Sequence, residues 1–396
     1  MSAGAAPRLL FVATVAVTLR SFLLPYARYF RSLGWRVDGA ADGVSGCPSC
    51  AAAFDAVHDV PFSRNPLAVT SLATAAKRLR LLAETERYDL VHVHTPVAAF
   101  VTRLALRRLR SRGLRVVYTA HGFHFFEGGP PLRNALFLAL EKLAGSWTDR
   151  LVVINGEDET AARRHRLVPP ERLRLFPGVG VDTAAFARES VSPECVAAVR
   201  KEMRLPEEAP FFLMVAEFNP GKRHRDLLRA FAGLPPRAPA PHLVCAGEGA
   251  LLEETKRLAA EFGVAERVRF PGYRRDVKVL LKGAAALVLP SEREGLPVSV
   301  LEALAMETPV IGADARGIRD LLRDGCGLLV PVGDVRALCD ALCQVLARPE
   351  EARARAERGR RRAREMDISR LLALSEELYR ELLETGGSPG EGARRA

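Results

Sequence analysis

Residues 286–306 read Ala286-Leu-Val-Leu-Pro-Ser-Glu-Arg-Glu-Gly-Leu-Pro-Val-Ser-Val-Leu-Glu-Ala-Leu-Ala-Met306. Ala286–Leu289 is a short apolar run of strand length, and Pro290–Gly295 is a polar loop. Pro297 suits the first position of a helix over Val298–Met306. Strand, loop and helix in this order make the unit of an open α/β sheet, whose ligands bind outside the carboxyl ends of the strands. The helix is apolar almost all round, with Glu302 its one charged residue. A carboxylate there is costly unless a ligand hydroxyl or a protein donor pairs with it. Glu294 lies just before the helix, where free N–H groups and the helix dipole favour a phosphate. At this spacing the two acids could hold the two sugars of a nucleotide-sugar. Equally, Glu302 could pair with a core arginine while Glu294 stays an exposed loop acid.

Working outward, the first half of the chain alternates strand and helix. Strands are expected at Arg8–Ala13, Arg36–Ala40, Tyr88–His94, Leu114–Ala120 and Arg150–Ile154. Helices are expected at Ser21–Leu33, Asn65–Glu86, Ala98–Arg112 and Pro131–Ala144, the first ending at Gly34. Turn residues at Phe176–Asp182 and a helix start at Ser192-Pro193 place a domain boundary near 185–195. The alternation then restarts, with strands at Phe211–Ala216, His242–Ala246, Val268–Phe270, Ala286–Leu289 and Pro309–Gly312. The fold class is α/β, with two successive doubly wound domains facing across a deep cleft.

Composition narrows the function classes. The 396 residues suit two domains of ordinary size, and 48% hydrophobic content is ample for two cores. The net charge of +11 is concentrated in arginine runs at 103–115 and 353–364. Such runs are either a solvated helix face or an attraction for polyanions. No aromatics are interleaved to stack on bases, so no nucleic acid is expected as a partner. An anionic membrane surface is kept as one, on the helix Ala98–Arg112 with Leu104, Leu106 and Leu109 among its arginines.

Seven cysteines without framework spacing fit a reducing cytoplasm. Cys47-Pro-Ser-Cys50 has the spacing of half a zinc site, with His58 the only tempting third ligand, and reads better as two loop thiols. Leu9–Leu19 lacks a cleavage site, is interrupted at Arg20, and suits a buried strand rather than a leader or a membrane span. The expected location is the cytoplasm, with peripheral attachment to the membrane's inner face.

Glu294 and Glu302, eight positions apart, closely resemble the signature of family 4 glycosyltransferases, which have the two-Rossmann GT-B fold. Further motifs follow in that family's order: Tyr88-Asp-Leu-Val-His-Val-His-Thr-Pro96, Tyr118-Thr-Ala-His-Gly-Phe-His124, Pro177-Gly-Val-Gly-Val-Asp182, Lys222, Ala246-Gly-Glu-Gly249 and Gly325-Cys-Gly-Leu-Leu-Val-Pro331. Phe22-Leu-Leu-Pro25 and Arg316-Gly-Ile-Arg-Asp320 resemble a subgroup associated with capsule and exopolysaccharide assembly.

The resemblance implies a retaining, metal-independent glycosyltransferase of hexosyltransferase type. Its donor would be a nucleoside diphosphate-sugar, a UDP-sugar favoured, used as substrate with no cofactor. Its acceptor would be a glycan or a polyprenyl-diphosphate-linked glycan. Epimerase or phosphorylase chemistry on the same fold, and non-catalytic carbohydrate binding, remain the alternatives.

By the same resemblance, residues 1–188 form the acceptor-side domain and 189–365 the donor side. A helix at 366–385 is expected to pack back toward the first, and the Gly/Pro/Arg-rich composition of 386–396 leads to the expectation of a disordered tail. Catalysis falls to His121, Lys222 and Glu294, and donor binding to Arg223, Gly247, Gly249, Glu294, Gly295, Leu296 and Glu302. Lys222 would neutralise the diphosphate and His121 would face the reacting sugar. His94 would end its strand at the cleft or serve a structural turn, and His92 would lie buried one pleat deeper. Two positions depart from the family. Ala216-Glu217 stands where relatives carry Gly-Arg, which would either leave the diphosphate to Arg223 beside Lys222 or go with a different orientation of donor and acceptor. Thr14-Val15-Ala16 replaces a Gly-Gly loop.

Overall fold

The apolar run near the start of the chain forms β1 (Arg8–Val15), whose six central residues are buried because the sheet is covered on both faces. It is joined by β2 (Arg36–Asp42), β3 (Ala56–Asp59), β4 (Leu90–His94), β5 (Arg115–Ala120), β6 (Arg150–Val153) and β7 (Leu173–Leu175). All pairs are parallel, in the order β3-β2-β1-β4-β5-β6-β7. The computed structural model describes residues 6–63, 68–126 and 128–385. The expected helix from Asn65 is described from Val69 to Glu86, and the tail expected at 386–396 lies outside the described residues.

A second parallel sheet holds β8 (Phe211–Val215), β9 (His242–Ala246), β10 (Val268–Gly272), β11 (Ala286–Leu289), β12 (Val310–Ala313) and β13 (Leu328–Val330). Its order is β10-β9-β8-β11-β12-β13. Each sheet therefore reverses direction of growth once, at β1/β4 and at β8/β11. These are the switch points of a doubly wound sheet, where a crevice opens beyond the strand ends.

The described residues fall into two compact units, Met1–Pro177 with Arg370–Ala396, and Gly178–Ser369. The division thus lies at 177/178 rather than the expected 188/189. Val181 pairs with Asp367, and Gly180, at φ +87°, packs on Ile368, so this loop is tied to the second unit. The helix Ile368–Glu384 enters the first unit, where Tyr379 is fully buried against Phe30 and hydrogen-bonds Nδ1 of His92.

The arginine runs separate into two kinds. The expected helix Ala98–Arg112 is a helix over Pro96–Leu106, followed by a 3-10 turn at Arg110–Arg112. Arg103 points inward, 2.8 Å from Glu141 and with its guanidinium over the Tyr118 ring, and Leu106 and Leu109 are buried. This helix therefore presents no leucine face among exposed arginines, because its arginine has a carboxylate partner inside. The second run forms Pro349–Glu365, where Arg353, Arg355 and Arg362 pair with Glu350, Glu351 and Asp324. It is a partly solvated face laced with ion pairs, with Arg355 and Arg362 only 20% and 12% exposed.

Candidate active site

In the second unit the chain leaves β8 through Ala216-Glu217-Phe218, turns through Pro220–Lys222, and enters the helix His224–Ala232. The loop after β11 lies beside it. The Glu292 amide donates to the Gly221 carbonyl (3.0 Å), which fixes the two loops together across the switch point. Lys222 Nζ then reaches Glu294 Oε1 at 2.5 Å, with side chains 23% and 11% exposed. A lysine and a glutamate from opposite sides of the crevice thus meet at its floor.

Two further features hold Glu294 in place. Arg316, buried at the start of the helix Arg316–Leu322, donates from Nε to the Glu294 carbonyl (3.1 Å). A Cβ on Gly317 would stand 2.0 Å from the Gly295 carbonyl oxygen, so that helix lies directly on the loop. Leu296 is buried against Gly178. Glu294, Gly295 and Leu296 are therefore clamped between the switch-point loops and the next helix.

Glu302 lies in the helix Val298–Ala305, where desolvation alone pushes its carboxyl up to about 7. Among the described residues no protein donor reaches it, so the alternative of a core arginine partner does not hold. A half-buried carboxyl that meets no donor among the described residues is poised for a ligand hydroxyl.

Gly247 and Gly249 adopt φ +149° and +151°. A Cβ on Gly247 would lie 2.0 Å from the Ala216 carbonyl oxygen, and one on Gly249 would lie 2.5 Å from that of Phe218. Their close approach is thus to the backbone leaving β8, a packing requirement of the protein itself. Arg223, at φ +57°, is already engaged by Asp226 (2.5 Å) and Glu292 (3.5 Å). Glu217 is exposed and accepts from Asn219 (3.1 Å). Of these side chains, Lys222 is the cation placed against Glu294.

In the first unit the crevice is built differently. Thr14 meets Thr95 at the switch point, Oγ1 to Oγ1 at 2.7 Å, and the Thr14 amide donates to the same Thr95 oxygen (3.1 Å). Thr95 caps the helix Pro96–Leu106 at φ +69°, a strained value for a β-branched residue. In the segment that lacks a Gly-Gly loop, the Thr14 amide is therefore satisfied by Thr95.

Beside it, three imidazoles stack. Ring centroids of His92 and His94 are 4.2 Å apart and those of His94 and His121 5.2 Å. His94 Nδ1 and His121 Nε2 share one hydrogen bond of 2.9 Å, and His92 Nε2 bonds Thr119 (2.7 Å). Burial depresses all three, His92 to about 3 and His121 to about 4, so the stack is neutral at pH 7. Because His94 Nε2 is buried without a partner, the tautomer leaving it a lone pair is the cheaper one. His94 Nδ1 then donates, and His121 offers Nδ1–H as a donor. The pairing of His94 with His121 is not legible in the sequence, although both sit at strand ends in consecutive motifs. The thiols of Cys47 and Cys50 lie 2.7 Å apart, and His58 turns to Asp38 and Tyr88 instead.

Comparison with known proteins matches both halves of the chain to one family. The description "Glycosyltransferase Family 4" fits residues 22–185 and "Glycosyl transferases group 1" fits residues 197–362. EpsD of Bacillus subtilis, named as a glycosyltransferase, is 35% identical over 373 residues, covering 94% of this chain and 96% of its own. The chain belongs to glycosyltransferase family 4.

Among other members, the Escherichia coli UDP-Gal:alpha-D-GlcNAc-diphosphoundecaprenol alpha-1,3-galactosyltransferase is 28% identical over 67% of this chain and 68% of its own. The structure of HepE from Anabaena, in complex with UDP and glucose, matches with a TM-score of 0.80 at 18% identity, covering 95% of this chain and all of that one. The fold of this family 4 glycosyltransferase is GT-B, with two Rossmann-like domains. Among its described residues no helix is long and apolar enough to cross a membrane.

Proposed function

We propose that this glycosyltransferase moves a sugar, with retention, from a UDP-sugar to a hydroxyl of a polyprenyl-diphosphate-linked glycan during cell-surface polysaccharide assembly. The observation that carries the reading is the Lys222–Glu294 pair on the floor of the β8/β11 crevice. UDP in HepE and the diphosphoundecaprenol acceptor named for the E. coli relative support the choice of donor and acceptor. The name of EpsD supports the wider setting.

In this reading Glu294 exchanges part of its contact with Lys222 for hydroxyls of the donor sugar, and Lys222 turns to the diphosphate. As the bond from the anomeric carbon to the β-phosphate oxygen breaks, negative charge grows on that oxygen, and Lys222 stabilises it. The acceptor oxygen bonds to the anomeric carbon on the same face, and its proton passes to the departing phosphate oxygen. Lys222 and the loop amides supply the positive charge, so no resident metal is required. Glu302 accepts from the ribose and Gly247 and Gly249 border the nucleotide, while His121, in the first unit, offers its Nδ1–H as a neutral donor to substrate. Arg223 assists with the diphosphate only by leaving Glu292.

The test is a panel of UDP-, GDP- and ADP-sugars screened for protection against thermal unfolding. Transfer to a polyprenyl-diphosphate disaccharide, with the new anomeric linkage read by NMR, then follows. A UDP-sugar should protect most and the anomeric configuration should be kept. Products formed without acceptor would move the reading to epimerase or phosphorylase chemistry, and an inverted linkage would overturn it.

A further inference from the structure

The helix Pro131–Gly145 follows the loop that begins at His121. Its inner side is well anchored. Phe137 packs edge-on against His124 (4.9 Å), Glu141 pairs with Arg103, and Gly145 lies so close to the Leu167 carbonyl that a Cβ would stand 1.8 Å from its oxygen.

The outer side is apolar and exposed. Leu132 is 89% exposed, Leu136 58% and Leu143 52%, with Ala135 and Ala139 also exposed between them. Spacings of four, three and four residues place 132, 136, 139 and 143 on one stripe. A stripe of large apolar groups in water, with none of the described residues over it, marks an interaction surface.

Charge says what covers it. The helix has one acid, Glu141, and that acid is turned inward and neutralised by Arg103. Its exposed charges are Arg133 and Lys142. Arg107 and Arg108 are exposed on the neighbouring segment, with Arg107 over the Trp147 ring, and Lys142 and Arg164 both bear on His165. Leucines flanked by cations, with no exposed acid on the helix, match an anionic lipid surface. A second copy of the chain would bring the same cations face to face.

We propose that this face seats the first unit on an anionic bilayer, with Leu132, Leu136 and Leu143 entering the headgroup boundary and the flanking cations meeting lipid phosphates. This rests on the proposed membrane-borne acceptor and adds which face meets the membrane. The adjoining loop, with His121 at its start, is then held near headgroup level, where a polyprenyl diphosphate would present its glycan.

Flotation of the full chain with phosphatidylglycerol–phosphatidylcholine vesicles tests this, against phosphatidylcholine alone and at rising salt. The wild type should float with the anionic vesicles only and lose binding with salt. Leu132→Ser/Leu136→Ser/Leu143→Ser should weaken binding at least about tenfold, since each lost leucine removes interfacial burial. Arg133→Glu/Lys142→Glu should abolish the preference for anionic lipid. Both variants should keep the wild-type melting temperature and UDP-sugar protection, since neither touches the core or the β8/β11 crevice. Equal flotation with neutral vesicles, or unchanged binding by the leucine variant, would overturn the proposal. So would a wild-type dimer in sedimentation that the leucine variant dissolves. Turnover on a water-soluble acceptor separates the two readings: its absence with intact flotation would count against the proposed reaction and leave this docking face standing.

Discussion

Lys222 and Glu294 stand 72 positions apart in the chain, and Nζ of one lies 2.5 Å from Oε1 of the other. The contact joins the loops that follow β8 and β11, the two strands at which the second sheet reverses its growth. Every strand there is parallel, so the loops leave the sheet on one edge, and residues remote in sequence converge.

Lys222→Ala should lower the transfer rate by about 100- to 1000-fold, the size seen when one donor to a developing oxyanion is lost. Glu294→Gln should raise KM for the donor more than Lys222→Ala does, since an amide still bonds hydroxyls but no longer orients the lysine. Folding should change by less than about 1 kcal/mol in either case, because the pair is partly solvated. Initial rates with a UDP-sugar and an added acceptor check both, and equal rates in wild type and variants would remove these residues from the site.

Glu302 predicts a pH effect of defined sign. Its carboxyl is raised from 4.5 to about 7, so the folded state holds a proton that the unfolded state has released. The stabilising protonated form is complete below pH 4.5 and is lost as pH rises through about 7. Glu302→Gln should therefore stabilise the ligand-free enzyme at pH 8 by about 1–3 kcal/mol, measured by denaturant unfolding. A ribose hydroxyl donating to the carboxylate favours its ionised form. Donor affinity should thus strengthen from pH 6 to 8 in the wild type and stay flat in the variant.

His121 should act as a neutral donor. With its ring held at about 4, no limb of the kcat/KM profile near pH 6.5 should belong to it. His121→Ala should slow transfer by about tenfold to 100-fold, and His94→Phe, which keeps the stack and removes the hydrogen bond, by less. The same depression makes acid unfolding specific. Between pH 6.5 and about 4 the unfolded chain binds the proton and the folded one does not, so stability falls as pH falls through that window. A pH-dependent melting series on wild type and His121→Ala would show it.

Two glycines with positive φ give a paired test of backbone packing. Gly249→Ala forces a Cβ to within 2.5 Å of the Phe218 carbonyl oxygen and should cost at least about 2 kcal/mol. Gly263, at φ +70° with nothing within 4 Å, should cost only about 1 kcal/mol on the same change. Equal losses would mean that conformation alone, rather than the approach to β8, sets the need for glycine at 249.

Much of this was legible in the chain itself. Ten of the strands from β1 to β12 follow from apolar runs such as Leu9–Ala13 and Ala286–Leu289, since burial on both faces depends on local composition. β3, β7 and β13 were missed, because edge strands of three or four residues carry too little apolar pattern to separate from loops. Glu294, Glu302 and Lys222 were found as types in the right order, while the hydrogen bond between His94 and His121 was not.

The sequence by itself determined the alternation of strand and helix and the family, because periodicity and ordered motifs depend on near neighbours. Only the tertiary structure decided that Arg103 lies inside and Leu132 outside. It also decided that Lys222 meets Glu294 and that, among the described residues, Glu302 meets no protein donor. Those outcomes depend on which side of a helix finds a carboxylate or a core, and on the sheet order that brings distant loops to one edge.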